Sequence, residues 1–290
     1  MIGQELIDRA VDMVVAQCAP EQVFVIGSYA TGTAKCNSDL DLLVVAESTE
    51  PKQRRDERLA QSLARLVIPI DINVYTPAEF DEELRQPMGF ARTATQLQGK
   101  LVYCRELGDF AALHRQWDGE PSAARHVRLQ AAPSEWQLYE AQYMRAARAW
   151  REPPWAFAAA VAGAEPGARV ADLGCGVCAL TTALGRELAA FDHVAADGRA
   201  IAADLAALPV ADASFDIAVL SIALVGTNWA DSLAEAARIV APGGRVVISE
   251  LAGGPRSGEA IVATLAQRGC PGARTRSRGP FVDVEAVRAS

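Results

Sequence analysis

The stretch from Val170 to Leu180, VADLGCGVCAL, constrains the fold of this chain more than any other. It begins as a short apolar strand, passes through a turn that contains Gly174 and Gly176, and opens a helix near Cys178. Because glycine has no Cβ, the backbone can turn tightly at both positions and a ligand can lie against it. The free N–H groups at the start of the helix favour an anion or an electron-rich ligand edge. We therefore predict a ligand-binding strand–turn–helix unit of an α/β domain.

Asp172 distinguishes between two ligands for this turn. The spacing of Gly174, Gly176 and Ala179 alone also fits the fingerprint of a nicotinamide dinucleotide site. A carboxylate two residues before the first glycine would repel a pyrophosphate, whereas it suits the cationic, amino-acid-bearing end of S-adenosylmethionine. We therefore expect S-adenosylmethionine; a doubly wound domain that binds another ligand is the alternative.

The order of elements after residue 170 resembles the class I methyltransferases, strand by strand. Asp192 ends the next strand-like run, twenty residues after Asp172, where the resemblance implies a carboxylate that holds both ribose hydroxyls. Asp204 lies at the position of the family's adenine-contacting acid, and the runs 214–221 and 241–250 match strands four and five. The predicted cofactor site comprises Asp172, Gly174, Gly176, Asp192, Asp204, Leu205 and Ser221.

A second group of acidic residues lies near the start of the chain. Residues 23–45 predict a strand, a turn, a polar loop and a second strand that carries Asp39 and Asp41. Residues two apart in a strand point to one face, and two close carboxylates are costly unless a cation lies between them. Asp71, in the strand-like run 67–75, is the third candidate. Three convergent carboxylates are what two Mg²⁺ ions need to bind a triphosphate and activate an acceptor oxygen.

The same stretch resembles the minimal nucleotidyltransferases of the polymerase-β superfamily. Ile26-Gly27-Ser28, a spacer of ten residues, Asp39-Leu40-Asp41 and the later Asp71 match that family's pattern residue by residue. The resemblance implies that the three acids are catalytic and bind metal, and that Gly27 and Ser28 face the phosphates of an NTP substrate. Thr31 stands where these modules often carry arginine, so the grip on the triphosphate is weaker or Lys35 supplies the charge. A module kept only for binding is the alternative.

The two sets of motifs predict two domains. We expect residues 1–106 to form an α+β nucleotidyltransferase domain and residues 134–290 to form an α/β Rossmann-type class I methyltransferase domain. Between them, residues 107–133 differ in composition and carry neither set of motifs, so we predict a linker there.

The second half of the chain also resembles the ribosomal RNA-processing protein 8 family. The matching residues include Phe191-Asp-His-Val194, Val225-Gly-Thr-Asn-Trp229 and the terminal run 279–287. That family methylates an adenine ring nitrogen in large-subunit ribosomal RNA, so the resemblance implies an RNA acceptor. The basic extension of the family is missing, and this chain carries the nucleotidyltransferase motifs instead.

The segment after strand four is the candidate acceptor site, because acceptors dock there in class I enzymes. It lacks the Asn-Pro-Pro-Tyr signature, so we do not expect methylation of an exocyclic amine. Asn228 is a candidate to hold the edge of a base and Trp229 to stack on it; a helix N-cap with a packing tryptophan is the alternative. A phosphate-binding loop or a solvated turn is predicted from five arginines: Arg256, Arg268, Arg274, Arg276 and Arg278.

The overall composition limits the environment and the partners. The net charge of −8 argues against a strongly basic nucleic-acid binder, although a local basic groove remains compatible with it. Without a long apolar run or a signal-like start, we expect no membrane span and no signal peptide. The six scattered cysteines suit the reduced thiols of a cytoplasmic protein. Cys175 and Cys178 have redox or zinc spacing but no second Cys/His pair, so we interpret them as packing residues of the turn.

Together these features predict a bifunctional transferase. One domain moves a nucleoside monophosphate from an NTP with Mg²⁺, and the other moves a methyl group from S-adenosylmethionine, with RNA as the preferred acceptor. The alternatives are a tailoring enzyme for a small-molecule acceptor, which the acidic charge favours, and an antitoxin-like regulator that nucleotidylates a partner protein.

Overall fold

The computed structural model describes residues 1–86, 88–97, 99–105, 110–195, 198–252 and 256–289. It divides into two compact units. Met1–Leu113 and Ser134–Arg145 form the first, and His114–Pro133 and Ala146–Ser290 form the second. The predicted end of the first domain, at residue 106, lies outside the described residues. This boundary and the predicted start of the second domain at residue 134 both stay predictions.

The first unit is built from short helices around a small sheet. Its helices are α1 (Gln4–Cys18), α2 (Gly27–Thr31), α3 (Lys52–Leu63), α4 (Pro77–Arg85) and α5 (Phe90–Arg92), and its strands are β1 (Gln22–Ile26), β2 (Leu40–Val45), β3 (Ile70–Tyr75) and β4 (Lys100–Cys104). A 3-10 turn spans Ala64–Leu66 and a π-helical turn spans Thr93–Leu97.

The four strands lie in the order β3-β2-β1-β4, and only β2 and β3 run parallel. The helix α1 buries Ile7, Ala10, Val11 and Val14, which recur at the three- and four-residue spacing of one helix face. These side chains pack in one core with Leu40, Leu42 and Val44 of β2. The α+β architecture predicted for this part of the chain is therefore observed.

The chain continues through α6 (Phe110–Asp118), α7 (Ser122–Ala131) and α8 (Pro133–Ala149). The described part of the stretch predicted as a linker, residues 107–133, is thus largely helical. Residues 134–145 of α8, predicted at the start of the methyltransferase domain, belong to the first compact unit.

The second unit contains a larger sheet with helices around it. Its remaining helices are α9 (Trp155–Gly163), α10 (Ala179–Leu184), α11 (Trp229–Ile239) and α12 (Gly258–Gln267), and its strands are β5 (Val170–Leu173), β6 (Ala189–Asp192), β7 (Ala200–Ala202), β8 (Phe215–Ser221), β9 (Val240–Leu251), β10 (Arg274–Arg278) and β11 (Phe281–Val287).

The seven strands lie in the order β10-β11-β9-β8-β5-β6-β7. The five strands from β9 to β7 run parallel, and β10 and β11 complete the sheet by antiparallel pairing. All four residues of β5 are buried, as expected for a central parallel strand that is covered on both faces. In a sheet of this kind ligands bind beyond the carboxyl ends of the parallel strands. Among the described residues, no helix is long and apolar enough to span a membrane.

Candidate active sites

In the first unit, strand pairing brings two of the predicted acids together. The parallel register sets Asp41 of β2 opposite Asp71 of β3. Asp41 is half-buried, whereas Asp71 and Asp39 are exposed. Burial raises the pKa of Asp41, and the negative charges of Asp71 and then Asp39 raise it further. The negative charges of Asp71 and Asp39 are therefore close enough to Asp41 to affect its ionisation.

The turn after β1 lies directly against this acidic group. Ile26, the last residue of β1, pairs with Asp41, and Gly27 follows with a φ of +64°. A Cβ at Gly27 would stand 2.4 Å from Oδ2 of Asp41, so only glycine allows the carboxylate to lie against this backbone. Ser28 sits in the first turn of α2. The structure thus brings the Gly-Ser turn against Asp41, as the resemblance to the nucleotidyltransferases implied. Asp39, predicted on the same strand, lies one residue before β2 begins.

The loop between α2 and β2 carries the predicted cationic residue. The backbone N–H of Lys35 donates to Ser38 Oγ at 2.8 Å, and the N–H of Ser38 donates to the Lys35 carbonyl at 3.1 Å. The Lys35 side chain is exposed. The hydroxyl of Thr31 is bound within its own helix, where it donates to the Gly27 carbonyl at 3.2 Å.

The donor set of this site suits a hard divalent cation, because all three candidates are carboxylates. The pKa of Asp41 is raised first by burial and then by the negative charges of Asp71 and Asp39, and a bound cation would offset the effect of those charges. As the side chains stand, no three His, Cys, Asp or Glu residues within the described ranges form a group that could hold a metal ion.

In the second unit, the glycine turn follows β5 as predicted. Gly174 has a φ of +77°, and a Cβ there would lie 2.6 Å from the Cβ of Ala223 in the loop after β8. The N–H groups of Gly174 and Cys175 donate to the Phe191 carbonyl of β6 at 2.8 and 3.1 Å. The buried thiols of Cys175 and Cys178 form no disulfide, and the Cys178 thiol donates to Sγ of Cys175 at 3.8 Å.

Two buried carboxylates flank this turn. Asp172, near the end of β5, is 3% exposed, and burial together with the nearby charge of Asp192 raises its pKa to about 7. Asp192 ends β6, where its Oδ2 accepts the Gly176 N–H at 2.9 Å and its Oδ1 accepts the His193 N–H at 2.7 Å. The turn is thereby held by the carboxylate that we predicted to bind the ribose; that ribose role stays a prediction.

The other predicted cofactor residues lie at the same edge of the sheet. Ser221 ends β8, and its hydroxyl oxygen is buried without a hydrogen-bond partner among the described residues. Asp204 follows β7 and is half-buried, whereas the side chain of Leu205 is buried in the core. The Leu205 side chain packs beside the turn, 3.5 Å from the position a Cβ of Gly174 would occupy. Its side chain is thus a packing element of the site.

A helical segment that no sequence pattern placed here covers this edge. We call residues 114–131, the end of α6 and all of α7, the cap segment. The loop after β8 is bound to it by three backbone N–H groups: Gly226 donates to Asp118 Oδ1 at 3.1 Å, Thr227 to the Glu120 carbonyl at 3.1 Å, and Ser122 to Asn228 Oδ1 at 2.8 Å. The predicted linker therefore contributes to the candidate cofactor site.

Arg125 joins the cap segment to the loops that follow two strands of the sheet, β8 and β6. Its side chain is 2% exposed and donates to the Val225 carbonyl at 2.9 Å and to Nε2 of His193 at 3.2 Å. Because Nε2 accepts, the proton of the His193 ring lies on Nδ1, which faces Nδ1 of His126 at 3.4 Å. Burial, with Arg125 beside it, lowers the pKa of His193 to about 3, so this ring is neutral.

The predicted acceptor residues have structural partners. Asn228 Oδ1 accepts the Ser122 N–H, and its Nδ2 donates to Asp231 Oδ2 at 3.1 Å. Trp229 begins α11 and packs against the main core of the second unit. These contacts are those expected from the alternative interpretation, in which Asn228 precedes a helix and Trp229 packs in the core. The acceptor-binding roles of both residues stay a prediction.

The five arginines that the sequence groups together have different environments. Arg256 pairs bidentately with Asp118 at 2.6 and 2.8 Å. Arg278 is 11% exposed and binds the fully buried Asp283 at 2.8 Å. Arg276 is 62% exposed, and Arg274 and Arg268 are exposed as well. Arg276 also reaches Asp283 at 3.3 Å and lies over the Phe157 ring. Arg256 and Arg278 therefore hold the fold, Arg276 pairs with Asp283 from a largely exposed position, and Arg268 and Arg274 lie at the surface.

Comparison with known families agrees with both groups of motifs. The model of a family described as "Hypothetical methyltransferase" matches residues 97–276, more than half of the 290 residues. The chain belongs to this family. The model described as "Nucleotidyltransferase domain" matches residues 7–94. The predicted fold class is confirmed: a nucleotidyltransferase domain is followed by a class I, S-adenosylmethionine-dependent methyltransferase domain.

Curated relatives match the methyltransferase part. Ribosomal RNA-processing protein 8 of Rattus norvegicus is 34% identical over 159 residues, which cover 54% of this chain and 35% of that protein. The 25S rRNA (adenine(645)-N(1))-methyltransferase of Schizosaccharomyces pombe is 36% identical over 106 residues, which cover 34% of this chain and 33% of that protein. The chain thus spans about a third of the length of these relatives.

Among solved structures, the likeness is more distant. The 1,6-didemethyltoxoflavin-N1-methyltransferase of Burkholderia thailandensis, solved with bound 1,6-didemethyltoxoflavin and S-adenosylhomocysteine, is 18% identical with a TM-score of 0.44. The alignment covers 58% of this chain and 89% of that one. At this score the likeness adds nothing to the family match.

Proposed function

We propose that the chain methylates an adenine ring nitrogen of RNA with S-adenosylmethionine, and that its N-terminal domain transfers a nucleoside monophosphate from an NTP with Mg²⁺. The observation that carries the proposed use of S-adenosylmethionine is the pair of buried carboxylates, Asp172 and Asp192, beside the glycine turn. We further propose a cytoplasmic location, which the scattered cysteines of the sequence support.

The residues around the turn suit the methyl donor. When bound, S-adenosylmethionine supplies a methyl group on a positively charged sulfur. Asp172 would attract the cationic amino-acid end, because ionisation of this buried carboxyl group is restored when a cation lies beside it. Asp192 would accept from the ribose hydroxyls, and the buried hydroxyl of Ser221 offers a hydrogen bond at the same edge. Catalysis then consists chiefly of holding the acceptor in line with the methyl group.

The acids of the first unit suit a nucleotidyl transfer. Mg²⁺, when bound, would supply the positive charge that a triphosphate needs, and Asp39, Asp41 and Asp71 would hold it. The close approach of Asp41 to Gly27 keeps the backbone of the Gly-Ser turn near the carboxylates, where a phosphate would lie. Lys35, exposed on the neighbouring loop, would add positive charge.

RNA is the preferred acceptor because of the relatives' names and the exposed arginines. Arg268, Arg274 and Arg276 would contact phosphates, and binding would then weaken steeply with salt as counterions are released. The net charge of −8 favours the rival acceptor, a small molecule, for which salt should have little effect. Filter binding of total cellular RNA at low and high salt, with Arg274→Ala/Arg276→Ala as the variant, separates the two. A regulator that nucleotidylates a partner protein is the third candidate.

Calorimetry with S-adenosylmethionine tests the proposal at the cofactor. Asp192→Ala should lose about 2–3 kcal/mol of binding free energy, because hydrogen bonds to a carboxylate are charge-assisted. Glu187→Ala, which removes an exposed acid of the same unit, is the matched control and should bind as the wild type does. Equal binding by Asp192→Ala and the wild type would remove Asp192 from the site. A wild type that binds NAD instead would overturn the cofactor assignment.

A further inference from the structure

Ser122, at the first turn of α7 in the cap segment, has no role in the functions described so far. The residue is 1% exposed, and its hydroxyl and its backbone N–H both have hydrogen-bond partners. The hydroxyl donates to Oδ1 of Asp204, and the backbone N–H donates to Asn228 Oδ1 at 2.8 Å. A residue from the predicted linker is thereby fixed between two loops at the carboxyl edge of the sheet.

The contact with Ser122 leaves Asp204 in a particular state. Its Oδ1 accepts from Ser122 and also from the Ala206 N–H at 3.0 Å. No residue in the described parts of the chain donates a hydrogen bond to its Oδ2. Because Oδ1 is fixed twice, the plane of the carboxylate is fixed as well, and the second oxygen is held ready to accept a hydrogen bond from a ligand.

We infer that Ser122 is a positioning residue of the cofactor's adenine subsite. It holds Asp204 in the rotamer in which Oδ2 accepts a hydrogen bond from the 6-amino group of the adenine. This inference rests on the proposed binding of S-adenosylmethionine and deepens it: the cap segment, and not the Rossmann-type sheet alone, makes the site selective for a purine with an amino group at C6. A carboxylate that rotates freely would lose that hydrogen bond for part of the time and would lose more entropy on forming it.

The rest of the cap segment supports the role, because it keeps Ser122 in place. Arg125, three residues after Ser122, binds the Val225 carbonyl and His193. Glu120, two residues before Ser122, accepts the Thr227 N–H with its carbonyl oxygen. Ser122 therefore lies between residues of the cap segment that are hydrogen-bonded to the loops after β6 and β8. Its hydroxyl can leave Asp204 only if these hydrogen bonds break or the Ser122 side chain changes rotamer.

The test compares two ligands by calorimetry on the full chain. One is S-adenosylhomocysteine, and the other is its analogue with hydrogen in place of the 6-amino group. The wild type should bind the adenine ligand roughly tenfold more tightly, the value of one charge-assisted hydrogen bond. Ser122→Ala should bind the adenine ligand roughly tenfold more weakly while its affinity for the analogue is unchanged, so that the discrimination disappears.

Two further variants make the test specific. Ser214→Ala removes a hydroxyl of the same unit that donates only to the Ala211 carbonyl, and it should keep the discrimination. Ser122→Thr keeps the hydroxyl and should restore it. If Ser122→Ala does not fold, Ser122→Cys replaces it with the same expected result, since a thiol is a weak donor.

The outcomes separate this inference from the proposed function. Tight wild-type binding with unchanged discrimination in Ser122→Ala would overturn the inference alone. Equal weakening of both ligands would also overturn it, because that is the effect of a purely structural residue. A wild type that binds neither ligand would overturn the proposed cofactor and the inference together.

Discussion

At the scale of single residues, Asp172 is one of the buried groups that make the stability of the second unit depend on pH. Its pKa is raised from 3.8 to about 7 by burial and by Asp192. The folded state therefore binds this proton more tightly than the unfolded chain does. The resulting stability is complete below about pH 4 and is lost as the pH rises through about 7. Asp172→Asn removes the titration, so we expect its melting temperature to fall less than that of the wild type between these two pH values.

Thermal unfolding followed by circular dichroism across this pH range measures the difference. The upper limit is about 4 kcal/mol, since a tenfold change in a proton-binding constant corresponds to about 1.4 kcal/mol. Glu250, whose pKa burial also raises to about 7, is present in both proteins and does not affect the comparison. Parallel curves for the wild type and Asp172→Asn would contradict the buried-carboxyl account.

Gly27 and Gly32 form a matched pair of glycines in the first unit. Both have a left-handed backbone, with φ values of +64° and +73°, so alanine is strained at either position, by about 1 kcal/mol. Only at Gly27 would the new Cβ meet the Asp41 carboxylate, at 2.4 Å. We expect Gly27→Ala to abolish nucleotidyl transfer and Gly32→Ala to lower only the free energy of unfolding. Transfer from labelled NTP and urea unfolding measure the two effects, and an active Gly27→Ala enzyme would refute this explanation of the turn.

The sequence predicts those parts of the candidate sites whose residues lie close together along the chain. The Gly-Ser and Asp-x-Asp patterns and the turn around Gly174 depend on short spacings, and the structure brings their members together. Ser122 and Arg125 were missed because their partners lie far along the chain, Asp204 and His193, and neither residue belongs to a pattern. A buried arginine or serine in a polar helix has no signature in the sequence; only the tertiary contacts reveal it.

At the level of the elements, β10 shows how one strand combines two roles. Arg278 binds buried Asp283 and the carbonyls of Pro153 and Pro154, whereas Arg274 on the same strand is exposed. Arg278→Ala should therefore lose about 3 kcal/mol of unfolding free energy, because the buried Asp283 carboxylate would keep only the Ser249 hydroxyl and the largely exposed Arg276 as partners. Arg274→Ala should change it by about 0.5 kcal/mol or less. Urea unfolding of both variants tests this, and similar midpoints would show that Asp283 does not need Arg278.

The parallel strands of the second unit were predicted from the sequence, because their order resembles that of the class I methyltransferases. The stretch with the five arginines, predicted as a loop or a turn, instead contains α12 and β10. The cap segment was not predicted either. Its helices α6 and α7 lie in a stretch of mixed composition, and the absence of a motif there favoured a linker. What fixes them to the sheet is a set of single hydrogen bonds to the loop after β8, which no periodicity encodes.

Across the whole molecule, the two groups of catalytic candidates belong to different compact units. Asp39→Asn keeps the shape of the side chain but removes charge from the acidic group of the first unit. We expect it to lose nucleotidyl transfer and to bind S-adenosylmethionine with unchanged affinity, as measured by labelled-NTP transfer and calorimetry on the same preparation. Full nucleotidyl transfer by Asp39→Asn would show that the acids are not the catalytic group.

Methylation of RNA through the site around Asp172 and Asp192 is the central proposal for this chain. The most direct measurement incubates the full chain with methyl-tritiated S-adenosylmethionine and total cellular RNA, digests the RNA and separates the nucleosides. We predict label in a ring-methylated adenosine with the wild type and with Asp39→Asn, and none with Asp192→Ala. Label that appears only in small molecules added as a metabolite extract, with unlabelled RNA, would contradict the proposal.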